Sequence, residues 1–88
     1  MYIQKEITTN YGIPAVYHVL KDIHIYYDLG VSHVNVAGYF SKDAFNNGSS
    51  SVVINQVNVN QTMFANEKEI YDAVLNSKVF KDGVLCEE

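Results

Sequence analysis

Apolar and polar residues alternate over parts of the chain, and this pattern predicts β-strands. In residues 2–9, Ile3 and Ile7 fall on one face and polar side chains fall on the other, as expected of a strand with one buried face. Residues 52–59 are rich in β-branched side chains, which favour strands. A glycine and a proline within residues 10–14 predict a tight turn after the first strand.

Residues 15–40 predict a long β-hairpin that folds back over residues 28–31. One register separates an apolar face from a mostly polar face, and a slip of one residue would destroy that separation. The apolar face pairs Ile25 with Val34, Ile23 with Val36 and Val19 with Phe40, and the other face pairs Tyr26 with His33, His24 with Asn35 and Asp22 with Ala37.

A helix is predicted at about residues 66–77. Asn66 suits the cap position, and Glu67 and Glu69 place carboxylates in the first turn, where the helix dipole favours them. Apolar side chains then recur at helical spacing, which predicts one face packed against the sheet.

The chain of 88 residues is long enough for one domain, residues 1–88, and too short for two. We expect an α+β fold: an antiparallel β-sheet or small β-sandwich of about four or five strands, with one C-terminal α-helix. Ser41 or Asp43 could cap a further single helical turn. Residues 84–85 could add a last extended contact before an acidic end.

The charge balance argues against general nucleic-acid binding. The net charge is −4, all six basic residues are lysines, and they are scattered along the chain. Without arginine there is no bidentate group for phosphate or guanine, and without a basic surface few counterions would be released. No apolar run is long enough for a membrane span, and no signal peptide is recognised at the start. With one cysteine, Cys86, no internal disulfide can form, so we expect folding in a reducing cytoplasm.

No catalytic, metal or cofactor site is predicted. His24 and His33 are diagonal neighbours in the expected hairpin and could form a weak site with Asp22, but surface histidines are the better interpretation. His18 lies too far along the strand from His24 to share an ion with it. Cys86 precedes two glutamates, which disfavour a reactive thiolate. We therefore expect no enzyme activity; an enzyme would need His24, His33 and Asp22 to converge in one pocket.

Tyrosine and asparagine are frequent, with seven and nine copies. Tyrosine is common at protein interfaces because it buries a large area and keeps a polar tip. Exposed strand edges offer a further route to association. The residues predicted to form an interface are Tyr11, Tyr26, Tyr39, Asn55, Asn58 and Asn60.

Five segments resemble small proteins from the genomes of tailed bacteriophages and prophages. They are MYIQKEITTNYGI at residues 1–13 leading into AVYHVL at 15–20, VNVAGYFSKDAF at 34–45, IYDAVL at 70–75 and FKDG at 80–83. The resemblance lies in spacing and residue type and covers nearly the whole chain. It implies a structural role in the virion, in the tail, baseplate or fibre region, and it brings no catalytic residues.

Two functional hypotheses follow. In the first, the protein folds in the host cytoplasm and assembles into the virion with other virion proteins and with copies of itself. In the second, it is a phage-encoded acidic inhibitor that occupies a basic groove of a host or defence protein. Neither hypothesis needs a cofactor, a nucleic acid or a membrane.

Overall fold

A computed structural model of the protein, describing residues 1–87, contains one antiparallel sheet and two helices. The strand order in the five-stranded sheet is β4-β3-β2-β1-β5. The elements in chain order are β1 (Tyr2–Ile7), β2 (Ala15–Tyr26), β3 (Val31–Tyr39), α1 (Lys42–Asn46), β4 (Val53–Val59), α2 (Glu67–Leu75) and β5 (Val84–Cys86). The predicted α+β class and antiparallel sheet are confirmed.

The hydrophobic core lies between α2 and one face of the sheet, which we call the inner face. Burial of these apolar side chains is the main favourable term in folding, as in other small domains. The fully or almost fully buried core residues are Ile3, Val34, Val36 and Val57 from the sheet, Tyr71 and Val74 from α2, and Phe80 from the segment after it. The opposite face of the sheet, the outer face, is contacted by the five-residue helix α1, and within residues 1–87 no helix as long as α2 packs on it.

Three details of the predicted architecture need correction. The strands form a single sheet and no second sheet stacks on it, so the sandwich alternative is wrong for residues 1–87. The main helix is shorter than predicted, and β5 follows it and pairs with β1. The five-residue helix α1 adds a second helix, capped by Ser41, whose side chain accepts a hydrogen bond from the backbone N–H of Ala44 at 3.0 Å.

The cap of α2 is the one predicted. The Asn66 side chain accepts a hydrogen bond from the backbone N–H of Glu69 at 3.1 Å. Glu69 in turn accepts one from the N–H of Ala65 at 3.2 Å, so two amide groups at the helix start are satisfied. After the helix, the Ser77 hydroxyl donates a hydrogen bond to the Val74 carbonyl and accepts one from the Phe80 N–H. These two hydrogen bonds direct Phe80 into the core.

The β2–β3 hairpin forms, but the predicted register is wrong. The turn is longer than predicted, and Gly30 closes it with a φ of 69° and a hydrogen bond of 3.0 Å from its N–H to the Tyr26 carbonyl. His24 consequently lies opposite His33, and Ile23 opposite Val34. Glycine is required here because other residues rarely adopt positive φ.

An irregularity in β2 between Leu20 and Asp22 shifts the register a second time. An extra residue in one strand of a pair reverses which face the following side chains occupy. Val19 therefore lies opposite Ala37 on the outer face, where the sequence pattern had placed it with the core. The Tyr71 hydroxyl accepts a hydrogen bond from the Leu20 N–H at 2.8 Å, beside this irregularity.

Strand β2 is longer than β1, so its second half extends past the start of β1 and past the region that β1 pairs. At the other side of the sheet, β4 is an edge strand of seven residues, and among residues 1–87 it pairs only with β3. Within the described residues, no helix is long and apolar enough to cross a membrane.

Candidate protein interface

Four aromatic side chains form a cluster on the outer face of the sheet. The rings of Tyr2 and Tyr17 are stacked with centroids 4.3 Å apart. Phe45 of α1 contacts both Tyr17 and Tyr39, at centroid distances of 5.2 and 5.0 Å. We call Tyr2, Tyr17, Tyr39 and Phe45 the aromatic cluster. Such a cluster contributes a large apolar area while its tyrosines keep hydroxyl groups that can bond to a partner.

Local structure explains why these residues meet. Tyr17 and Tyr39 are directly opposite each other in the β2–β3 register, so they share a face. Helix α1 begins two residues after β3 ends, capped by Ser41, and this short connection carries Phe45 back across the strands. Phe45 remains 37% exposed, so solvent reaches this part of the aromatic cluster.

A groove of about 500 Å³ runs beside the aromatic cluster. Val19, Ala37 and Tyr39 contribute apolar surface to it, and Lys21 and Glu67 lie at its polar margin. Its volume is within the range in which proteins bind small molecules or single side chains of a partner. Its lining mixes apolar side chains with the polar groups of Lys21, Ser51 and Glu67, which fits an inserted side chain that has both apolar surface and a polar tip.

The edge of the sheet formed by β4 is the second candidate surface. No Asp, Glu, Lys, Arg or His occurs anywhere in residues 44–66, which include the whole strand. On the outer face, Ile54 is 47% exposed. Natural edge strands are usually protected by charges, prolines or bulges, and β4 has no charge and no proline. Its free edge is therefore suited to pairing with another strand.

The six predicted interface residues lie in different parts of the structure. Tyr39 belongs to the aromatic cluster. Tyr26 and Asn58 lie on the outer face near His33: the rings of Tyr26 and His33 are 4.9 Å apart, and Asn58 is directly opposite His33. Asn60 is exposed just after β4.

The remaining two predicted residues lie elsewhere. Tyr11 is 69% exposed in the turn between β1 and β2, where its ring makes an edge contact with Phe40. Asn55 is half-buried on the inner face, opposite Val36, and its Nδ2 has no hydrogen-bond partner among the described residues. The six residues therefore do not form one continuous surface.

Sequence reasoning did not place Tyr17, Val19 and Phe45 on the outer face, where Tyr17 is buried and Val19 and Phe45 are partly exposed. Tyr17 and Val19 could be placed only with the register irregularity known, since they lie before it. Phe45 had an available signal, because the predicted cap at Ser41 already implied a helical turn that would carry it beside the sheet.

His18 is a buried structural residue. Its Nε2 lies 2.8 Å from the Lys5 carbonyl oxygen and 3.2 Å from that of Ala15. Both partners are acceptors, so Nε2 carries the proton and Nδ1 is left as an acceptor without a partner among the described residues. Burial lowers the pKa of His18 because it disfavours the charged imidazolium, although the two carbonyl groups oppose this effect.

No metal centre is assembled from the other candidate residues. His24 and His33 face each other across the hairpin, and Asp22 accepts a hydrogen bond from the Asn35 side chain at 2.6 Å. No group of three or more His, Cys, Asp or Glu side chains that could hold an ion occurs in residues 1–87.

Comparison with protein-family models, with curated proteins and with solved structures finds no match to this chain.

Proposed function

We propose that this protein is a structural component of a bacteriophage particle, in the tail, baseplate or fibre region, and that it acts through protein–protein contacts. The observation that carries the proposal is that α2 covers the inner face, whereas the outer face is contacted only by the short helix α1 among the described elements, which leaves a partly exposed aromatic cluster beside a groove. The resemblance of the sequence to phage proteins supplies the biological setting.

The outer face has the composition of an interface centre. Aromatic residues are enriched at the centres of interfaces and dominate their energetics, because they bury a large area without many rotatable bonds. Tyr39 and Phe45 adjoin a groove of about 500 Å³, which a side chain of a neighbouring virion protein can fill. A small domain that is repeated in a symmetric assembly gains the burial that its own core cannot provide.

Mass spectrometry of gradient-purified phage particles tests the proposal directly. We expect the chain to be present at a fixed copy number per particle, in a multiple set by the symmetry of the tail or baseplate. Absence from particles despite abundance in infected cells would overturn the proposal. Recovery of the chain in a stoichiometric complex with one host protein would then support the inhibitor hypothesis.

A matched pair of substitutions tests whether the outer face is the surface used. Phe45→Gln removes an aromatic ring from the aromatic cluster. Tyr27→Gln removes one from the β2–β3 turn, where Tyr27 is 74% exposed and lies away from the groove. We expect Phe45→Gln to lower incorporation into particles at least about tenfold, as for the loss of a central interface residue. Tyr27→Gln should incorporate normally. Equal incorporation of both variants would show that the outer face is not the interface.

A further inference from the structure

We infer that β4 pairs with β4 of a second copy of this chain, so that two sheets join into one continuous ten-stranded antiparallel sheet. The pairing has two-fold symmetry, with Gln56 opposite Gln56 of the second copy. This inference rests on the proposed assembly function and names the partner for one edge of the domain.

The distribution of charge identifies a second copy as the occupant. The chain has a net charge of −4, so two copies repel each other over most of their surfaces. Residues 44–66 contain no charged residue, and β4 lies within this segment. Approach through β4 therefore brings together the part of each molecule where like-charge repulsion is smallest. A strongly charged partner would find no complementary group along this edge.

Gln56 is the central residue of β4, so pairing about it uses the whole length of the strand. The strand is VINQVNV, and antiparallel pairing about Gln56 places Val53 opposite Val59 of the second copy and Ile54 opposite Asn58. All seven residues of the strand are paired in this register. The two Gln56 amides, which are exposed on the outer face, come within reach of each other and can exchange hydrogen bonds.

Sedimentation or light scattering across a range of protein concentrations measures the association. The interface of one strand pair is small, so we expect a reversible dimer with a Kd in the micromolar range or weaker, about 1 μM to 1 mM. Gln56→Lys places two like charges opposite each other and should raise the Kd at least about tenfold. Gln4→Lys is the matched control, because Gln4 is an exposed outer-face residue of β1 and should leave the Kd unchanged.

Complementary charges test the two-fold position. A mixture of Gln56→Lys and Gln56→Glu should form a heterodimer, while each variant alone should remain largely monomeric. Disulfide trapping provides a second readout in a Cys86→Ser background. Gln56→Cys should form an intermolecular disulfide, whereas Asn58→Cys should not, since Asn58 faces Ile54 of the second copy in this register.

A chain that stays monomeric at all concentrations, or equal trapping through Asn58→Cys and Gln56→Cys, would overturn the inference. These results are distinguishable from failure of the proposed function. A monomeric chain that is still present at fixed copy number in particles would refute only the β4 pairing, whereas a β4 dimer absent from particles would refute only the virion role.

Discussion

At the scale of single residues, His18 couples the fold to pH. Its ring is buried and neutral, with Nε2 donating to the carbonyl oxygens of Lys5 and Ala15, so the folded protein resists its protonation. Burial lowers the pKa of His18 in the folded state below the ordinary value of 6.5, which it regains on unfolding. As pH falls below about 6.5, the unfolded chain takes up a proton that the folded chain does not, so stability is lost.

We therefore predict that the free energy of unfolding is independent of His18 above about pH 7 and falls as the pH drops below the ordinary histidine pKa of 6.5. The slope from one group is at most about 1.4 kcal/mol per pH unit. Urea unfolding at a series of pH values measures it. The variant carrying His24→Gln and His33→Gln is the control, because both residues lie on the outer face, and it should retain the fall. A wild-type stability that is flat across this range would contradict the prediction.

At the scale of secondary-structure elements, the cap of α2 makes a contribution to stability that a single substitution can isolate. Asn66 accepts the Glu69 N–H and begins the helix that covers the whole core. We predict that Asn66→Ala lowers the free energy of unfolding by about 1 kcal/mol, because one N–H group at the helix start loses its partner. Asn60→Ala is the matched control: Asn60 is exposed outside any element and should change stability by less than about 0.5 kcal/mol. Equal losses in thermal or urea unfolding would contradict a capping role.

The elements also show which features the sequence could predict. The start of α2 was predictable because a helix cap depends on residues three positions apart, Asn66 and Glu69. The register of the hairpin was not, because it depends on how Gly30 closes the turn and on the irregularity between Leu20 and Asp22. The second of these is linked to a contact distant in sequence, from the Leu20 N–H to the hydroxyl of Tyr71 in α2.

The candidate interface could not be predicted in full for the same reason, because it depends on the register of the hairpin. Alternation along β2 placed Val19 with the core, and the irregularity transfers it to the outer face beside the groove. Tyr39 and Asn58 were predicted from residue type alone and do lie on the outer face, whereas Asn55 points to the inner face. Residue type therefore selected the interface candidates, while the face that each side chain occupies required the register.

At the scale of the whole molecule, the two faces of the sheet have different tasks. The inner face holds the buried core against α2, and the outer face holds the aromatic cluster, in which Tyr17 is buried and Phe45 is 37% exposed. A domain of this size has a total stability of about 4–13 kcal/mol, so it cannot tolerate the loss of a large core residue. We expect substitutions on the outer face to change the proposed binding surface while leaving the fold largely intact.

Phe80 in the core and Phe45 on the outer face test whether the outer face contributes less to stability than the core. Phe80 is fully buried and packs edge-on against His18 at a centroid distance of 5.3 Å. We predict that Phe80→Ala lowers the free energy of unfolding by about 3–5 kcal/mol, as for other buried aromatic truncations, which is enough to unfold a substantial fraction of a marginally stable domain. Phe45→Ala should cost only about 1 kcal/mol, since it loses partial contacts with Tyr17 and Tyr39.

Urea unfolding followed by circular dichroism compares the two variants under one condition. If Phe45→Ala proves as destabilising as Phe80→Ala, the aromatic cluster is a second core, and its exposure would not indicate a binding surface. If the predicted difference is found, the cluster contributes little to the fold relative to the apolar area it presents. In that case, lost incorporation of a Phe45 variant into particles can be attributed to a lost contact, because the variant remains folded.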